Sequence, residues 1–202
     1  MNNFKKILLI VFLVVTGPVH AHSPSEGKVT ALFGPFLYKT NFEGGGADLQ
    51  SPTLGGFGLI AEGDISKHGG LEIAMFYQHK LYFLRQTGNF IAEKAKIMYI
   101  TMGYRHWFMA QFSAAAAFFS SYSMGDPNVI HGDFAPGFAP RTSAQDTTEY
   151  GFDFSLQWEL WGNDKYAVVL DGRYSWSVTS KNHEDSDHYG ALLGWRYQVQ
   201  EK

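Results

Sequence analysis

With no cysteine in 202 residues and a formal charge of −3, the chain has no disulfide framework, no lipid-anchored cysteine and no broad basic surface for nucleic acid. The length suits one domain. Glycine and aromatic residues are abundant, and no sustained helical periodicity is present.

At the N-terminus, Lys5 and Lys6 precede an apolar run from Ile7 to Val15, then Gly17-Pro18 and Val19-His20-Ala21. This is the layout of a secretory signal peptide, with cleavage expected after Ala21. The apolar run is too short for a membrane-spanning anchor. Residues 1–21 are therefore assigned to the signal and 22–202 to one mature domain of 181 residues. Loss of the two lysines takes the net charge to −5.

Eight alternating segments follow. The first, Lys28 to Thr40, has ambiguous parity around Pro35. The second, Gly56 to Ile65, sets Phe57, Leu59 and Ala61 against Gly58, Ile60 and Glu62. In the third, Leu71 to Phe83, an apolar row including Tyr77 and Leu81 opposes Glu72, Gln78 and Lys80. The fourth, Lys96 to Phe108, sets Met98 to Tyr104 against Thr101, Gly103 and Arg105. The fifth, Gln111 to Met124, alternates Phe112, Phe118 and Tyr122 with Ser113, Ala115, Ala117 and Ser121. The sixth is the clearest. From Glu149 to Leu160, Tyr150, Phe152, Phe154, Leu156, Trp158 and Leu160 alternate with acids, small residues and glutamine. The seventh, Lys165 to Thr179, and the eighth, His188 to Gln200, repeat the pattern.

Period-2 alternation over such lengths gives strands with one apolar and one polar face. About 9–11 tilted residues cross a bilayer. The connections after odd segments are long: Asn41 to Gly55, Leu84 to Ala95, Gly125 to Thr147, and Ser180 to Asp187. Those after even segments are short. Trp107, Trp158, Trp161 and Trp195 fall toward the short-turn rim, and Tyr122, Tyr150 and Trp176 toward the other. Loop asymmetry and two aromatic girdles fit an antiparallel up-and-down transmembrane β-barrel of eight strands, an all-β fold. A near-neutral mean hydropathy agrees, because the two faces cancel. Alternation alone also permits a soluble lipocalin-like barrel with the apolar face inward.

The last segment carries a motif. His188, Gly190, Leu193 and Trp195 occupy the constrained positions of a pattern that resembles the terminal-strand signal by which bacterial outer-membrane barrels reach their insertion machinery. The chain runs on to Lys202 rather than ending on an aromatic. Over its mature length it resembles the eight-stranded bacterial outer-membrane β-barrel superfamily, the OmpA/OmpX-like transmembrane barrels, with no particular branch indicated. The resemblance implies export to the outer membrane of a Gram-negative bacterium and contact with its lipid and lipopolysaccharide. It implies no one activity.

In such a barrel the polar parity gathers Glu62, Glu72, Lys80, Arg105, Asp153, Glu159, Asp171, Arg173 and Arg196 in the lumen. An ion-paired plug is the leading reading, and a narrow, porin-like path for water, ions or small solutes the alternative. His79, with Lys96 on the neighbouring strand, sits on the lipid-facing parity near the outer interface and suits lipid phosphates. Lys181 to His188 holds three carboxylates and two imidazoles, but the spacing matches no EF-hand or zinc motif, so a solvated acidic loop is expected and no metal. Phe134 and Phe138, among the prolines of the third long loop, suit a surface partner or a lid over the mouth. Lipid A deacylases of this superfamily carry His-any-Ser, and the palmitoyl-transferring barrel has an amphipathic helix before its first strand. This chain has neither, so a lipid A-modifying enzyme is the weakest alternative. The expectation is a monomeric, non-enzymatic barrel without a cofactor.

Overall fold

The computed structural model describes residues 24–41, 51–86, 88–135, 140–146, 148–163, 165–180 and 183–199. The expected signal peptide and its expected boundary at Ala21 lie outside them. The strands are β1 (Val29–Thr40), β2 (Leu54–Asp64), β3 (Gly69–Gln86), β4 (Asn89–Met109), β5 (Phe112–Ser123), β6 (Asn128–Gly132), β7 (Thr148–Gly162), β8 (Tyr166–Ser177), β9 (Glu184–Asp185) and β10 (His188–Val199). Every pairing is antiparallel. Eight strands form the ring β1-β2-β3-β4-β5-β7-β8-β10, and β10 returns to β1. Closure leaves none of these eight as a free edge at the level of the ring.

The faces are inverted relative to a water-soluble barrel. Phe33, Phe57, Ile73, Phe118, Phe154 and Leu193 lie outward and 45–51% exposed. Charged side chains lie inside. An apolar belt of this extent is a surface for lipid, so the soluble-barrel alternative does not describe this fold.

Four sequence readings need correction. First, Leu84 to Ala95 is not a long loop: β3 runs to Gln86 and β4 starts at Asn89. The two strands rise as a tall hairpin, where Leu81, Tyr82, Phe83, Leu84, Ile91 and Ala92 are all buried. Leu81 is therefore not lipid-exposed. Burial on both parities removed the alternation that marks a strand. Second, Trp107 points inward, 2% exposed, and belongs to no girdle. Third, the β7–β8 register shifts between Glu159 and Trp161. This bulge takes Leu160 out of the apolar row and turns Trp161 outward. Fourth, the lumen is only partly polar. Leu32, Phe36, Ile60, Phe76 and Leu192 fill one sector of it from β1, β2, β3 and β10.

That last feature explains β1. Leu32, Phe36 and Tyr38 point in while Phe33 and Leu37 point out, so both parities are apolar. Pro35 keeps the register with β2 opposite Phe57. Toward β10 the ladder skips from Phe33 to Phe36, as expected where proline has no N–H to donate.

Candidate functional site

The nine sequence-selected lumen residues all lie on the interior face, none more than 5% exposed. They form three groups at different heights.

Near the short-turn rim, Arg196 on β10 pairs with Glu159 on β7. The Trp107 ring lies 5.5 Å from the Arg196 guanidinium carbon, within cation–π range.

In the middle, two arginines meet four carboxylates. Arg105 on β4 bonds Glu72 through Nε at 2.8 Å and through Nη2, and reaches Glu62 and Asp171 at 3.2 Å each. Its remaining donors meet the hydroxyls of Ser113 and Ser155, both at 2.8 Å. Arg173 on β8 binds Glu72 at 2.6 Å, Asp171 at 2.7 Å and Asp153 at 2.8 Å. Its guanidinium lies 4.9 Å from the Phe76 ring centre. Gln157 donates to Glu62 at 3.0 Å, and Tyr99 to Asp153 at 2.9 Å. A buried ion persists when its Coulomb partners and hydrogen bonds together replace hydration. Arginine suits the task because its five N–H donors fan out in one plane.

Near the outer rim, Lys80 pairs with Glu149 at 2.7 Å. Glu149 also accepts from Tyr82 at 3.0 Å and from Ser186 at 3.2 Å. Gln78 and His188 lie 3.3 Å apart between these groups, inside aromatic walls that include Tyr38 and Tyr99.

Above the ring, the described parts of the third and fourth long loops are folded onto the β3–β4 hairpin. Strand β6 pairs with β4, and β9 with β3. A short 3-10 helix, Ser143–Gln145, is capped by the Thr142 side chain. Thr142 donates to Glu93 on β4, and Ser143 donates through N–H and hydroxyl to Glu184 on β9. Glu184 is thus buried, which corrects the expectation of a wholly solvated acidic loop. Among the described residues, no three His, Asp or Glu side chains are placed to hold a metal ion. No serine hydroxyl there bonds to an imidazole ring.

Of the other selected residues, His79 and Lys96 are direct register partners on β3 and β4. His188 faces inward and buried, while Leu193 and Trp195 face outward. Gly190 is held to its type by crowding: a Cβ there would meet Leu37 O and the Phe36 ring, each at 2.6 Å. Phe134 is half-buried, and Phe138 lies outside the described residues. Sequence reasoning placed Glu149 on the polar parity without pairing it to Lys80. It missed Glu93, Thr142 and the inward Tyr99. The signal for Tyr99 was available, since it alternates with Met98 and Ile100.

No family model matches the chain, and no curated protein matches it. Solved structures do. One is Ail, the attachment invasion locus protein of Yersinia pestis, in complex with the heparin analogue sucrose octasulfate. It has 13% identity and a TM-score of 0.51 over 87% of this chain and 100% of that one. Another is the outer membrane protein OprG from Pseudomonas aeruginosa, with 12% identity and a TM-score of 0.53 over 91% and 100%. At such identities the likeness is one of fold: the chain has the closed eight-stranded architecture of outer-membrane barrels.

Proposed function

We propose that the protein is a non-enzymatic integral barrel of a Gram-negative outer membrane, plugged through its lumen, with its folded outer rim as the working surface. The observation that carries this reading is the middle layer. Arg105 and Glu72 are both 0% exposed, and their network joins β3, β4, β7 and β8 across the interior. The ion pairs would have to break for a solute to pass. Against them, Phe36, Phe76 and Leu192 close the other side. Supporting the location are the outward apolar belt, the export signal expected in residues 1–21 and the fold likeness. The reading includes insertion through the terminal-strand motif and a monomeric barrel in contact with lipopolysaccharide.

Reconstitution of the full mature chain in a planar bilayer tests the plug. No stepwise conductance is expected. Steady ion-selective steps would replace the plug with a narrow channel. Fractionation tests location separately: the protein should leave cells with the outer membrane and show a heat-modifiable gel shift.

A further inference from the structure

We propose that the outward face of the β3–β4 hairpin, just above the apolar belt, binds the phosphate groups of an outer-leaflet lipid of the lipid A class through Lys94, Lys96 and His79. The proposal rests on the outer-membrane reading above and names a ligand for one face of it.

Register fixes the height of this patch. On β4 the outward stripe runs from Phe108 through Tyr104 and Met102 to Met98. At barrel tilt such a run climbs about 25 Å, the height of the apolar band. Met98 pairs with Tyr77 on one side and Tyr122 on the other, forming an aromatic row at the belt's upper edge. The next outward positions are His79 on β3 and its partner Lys96, followed by the half-buried Lys94 opposite the buried Leu81. The first charges above the belt on this hairpin are therefore cationic, at the depth where lipid phosphates lie.

The patch is built rather than incidental in three respects. It stands on the paired strands β3 and β4, with β6 laid against β4 at Lys94. Lys94 and Lys96 project from one face about 7 Å apart. The His79 ring is set edge-on to Tyr77 at 6.0 Å, and Tyr38 O–H donates to the His79 carbonyl at 2.7 Å. Among the described residues, no carboxylate forms an ion pair with Lys94 or Lys96. Elsewhere on the upper rim, β5, β7, β8 and β10 present Tyr122, Tyr150, Trp176 and Tyr189, and β1 presents a single lysine, Lys39, opposite Tyr189. An acidic chain whose acids fill its lumen thus keeps a cationic arc on one outer face.

The test compares the full mature chain with the Lys94→Gln/Lys96→Gln double variant in detergent micelles. Three probes are used: bis-phosphorylated lipid A, dephosphorylated lipid A and inorganic phosphate. Lys96 is exposed and Lys94 half-buried, and the heat-modifiable shift verifies that the variant is folded. Bis-phosphorylated lipid A should bind the variant about tenfold more weakly. The dephosphorylated lipid should bind both proteins weakly and alike, and inorganic phosphate at the same concentration should not displace lipid A. Equal affinity of the two proteins for bis-phosphorylated lipid A would overturn the site. So would tight binding of the dephosphorylated lipid. Complete displacement by inorganic phosphate would overturn the lipid assignment. These outcomes are read in micelles, so they stand apart from a failure of the location, which would appear as wild-type protein outside the outer membrane.

Discussion

Arg105 and Glu72 face each other across neighbouring strands, joined by two N–H donors of one guanidinium, with neither residue exposed to solvent. Removing the cation leaves Glu72, Glu62 and Asp171 short of a shared partner in a dry interior. Arg105→Leu should therefore destabilise the barrel by about 3–5 kcal/mol. Arg105→Lys should recover only part of this, since a single ammonium cannot meet Glu72, Ser113 and Ser155 together. Urea unfolding in lipid vesicles gives the comparison. A Leu variant as stable as wild type would remove the plug from any role in holding the fold.

The orientation of the two faces has a spectroscopic consequence. Trp107 is 2% exposed and sits beside Arg196, whereas Trp158 and Trp195 are 42% and 40% exposed on the outer face. A variant retaining Trp107 alone, with the other tryptophans changed to Phe, should be barely quenched by brominated lipid. The corresponding Trp158-only variant should be strongly quenched. Equal quenching would contradict the inward placement of Trp107.

At the β1–β10 seam the backbones approach closely. A Cβ at Gly34 would lie 2.2 Å from Leu193 O, a backbone atom that cannot rotate away. Gly34→Val should cost at least about 1–3 kcal/mol by overpacking. Since this seam closes the ring, the loss should appear as a smaller fraction of heat-modifiable, folded barrel. Full folded yield would show that the seam relaxes.

The barrel was legible where one face was purely apolar and the other polar. In β7, Phe152 and Phe154 alternate with Asp153 and Ser155, and lipid and lumen select opposite chemistries. The logic fails where both environments are apolar. Strand β1 packs Leu32 and Phe36 inside as well as Phe33 and Leu37 outside, so its parity could not be read. The tall β3–β4 hairpin fails for a related reason: Leu81 to Leu84 are buried on both faces above the belt. The lumen acids and bases were visible as a parity set, but their partners were not. Lys80 meets Glu149 across 69 positions of sequence, a relation set by ring closure and register rather than by any local pattern.

The outer mouth offers a test that separates the loops from the barrel. Glu184 accepts the Ser143 N–H at 2.8 Å together with the Ser143 hydroxyl, tying the third long loop to β9 and through it to β3. Glu93 accepts from Thr142 and, at 3.1 Å, from Gln145, tying the same loop to β4. Each latch is a carboxylate bonded to neutral donors on the 3-10 segment, while β6 earlier in the same loop is held by its own pairing with β4. Removing one should cost about 1–3 kcal/mol locally. Opening of the loop would then rise about tenfold, while the ring, closed by its own ladders, stays folded. In Glu93→Ala or Glu184→Ala, limited proteolysis between residues 125 and 147 should accelerate accordingly, with the heat-modifiable shift retained. Unchanged cleavage in both variants would show that the loop is held by contacts other than these two carboxylates. Loss of the shift would instead make the latches part of the barrel's own stability.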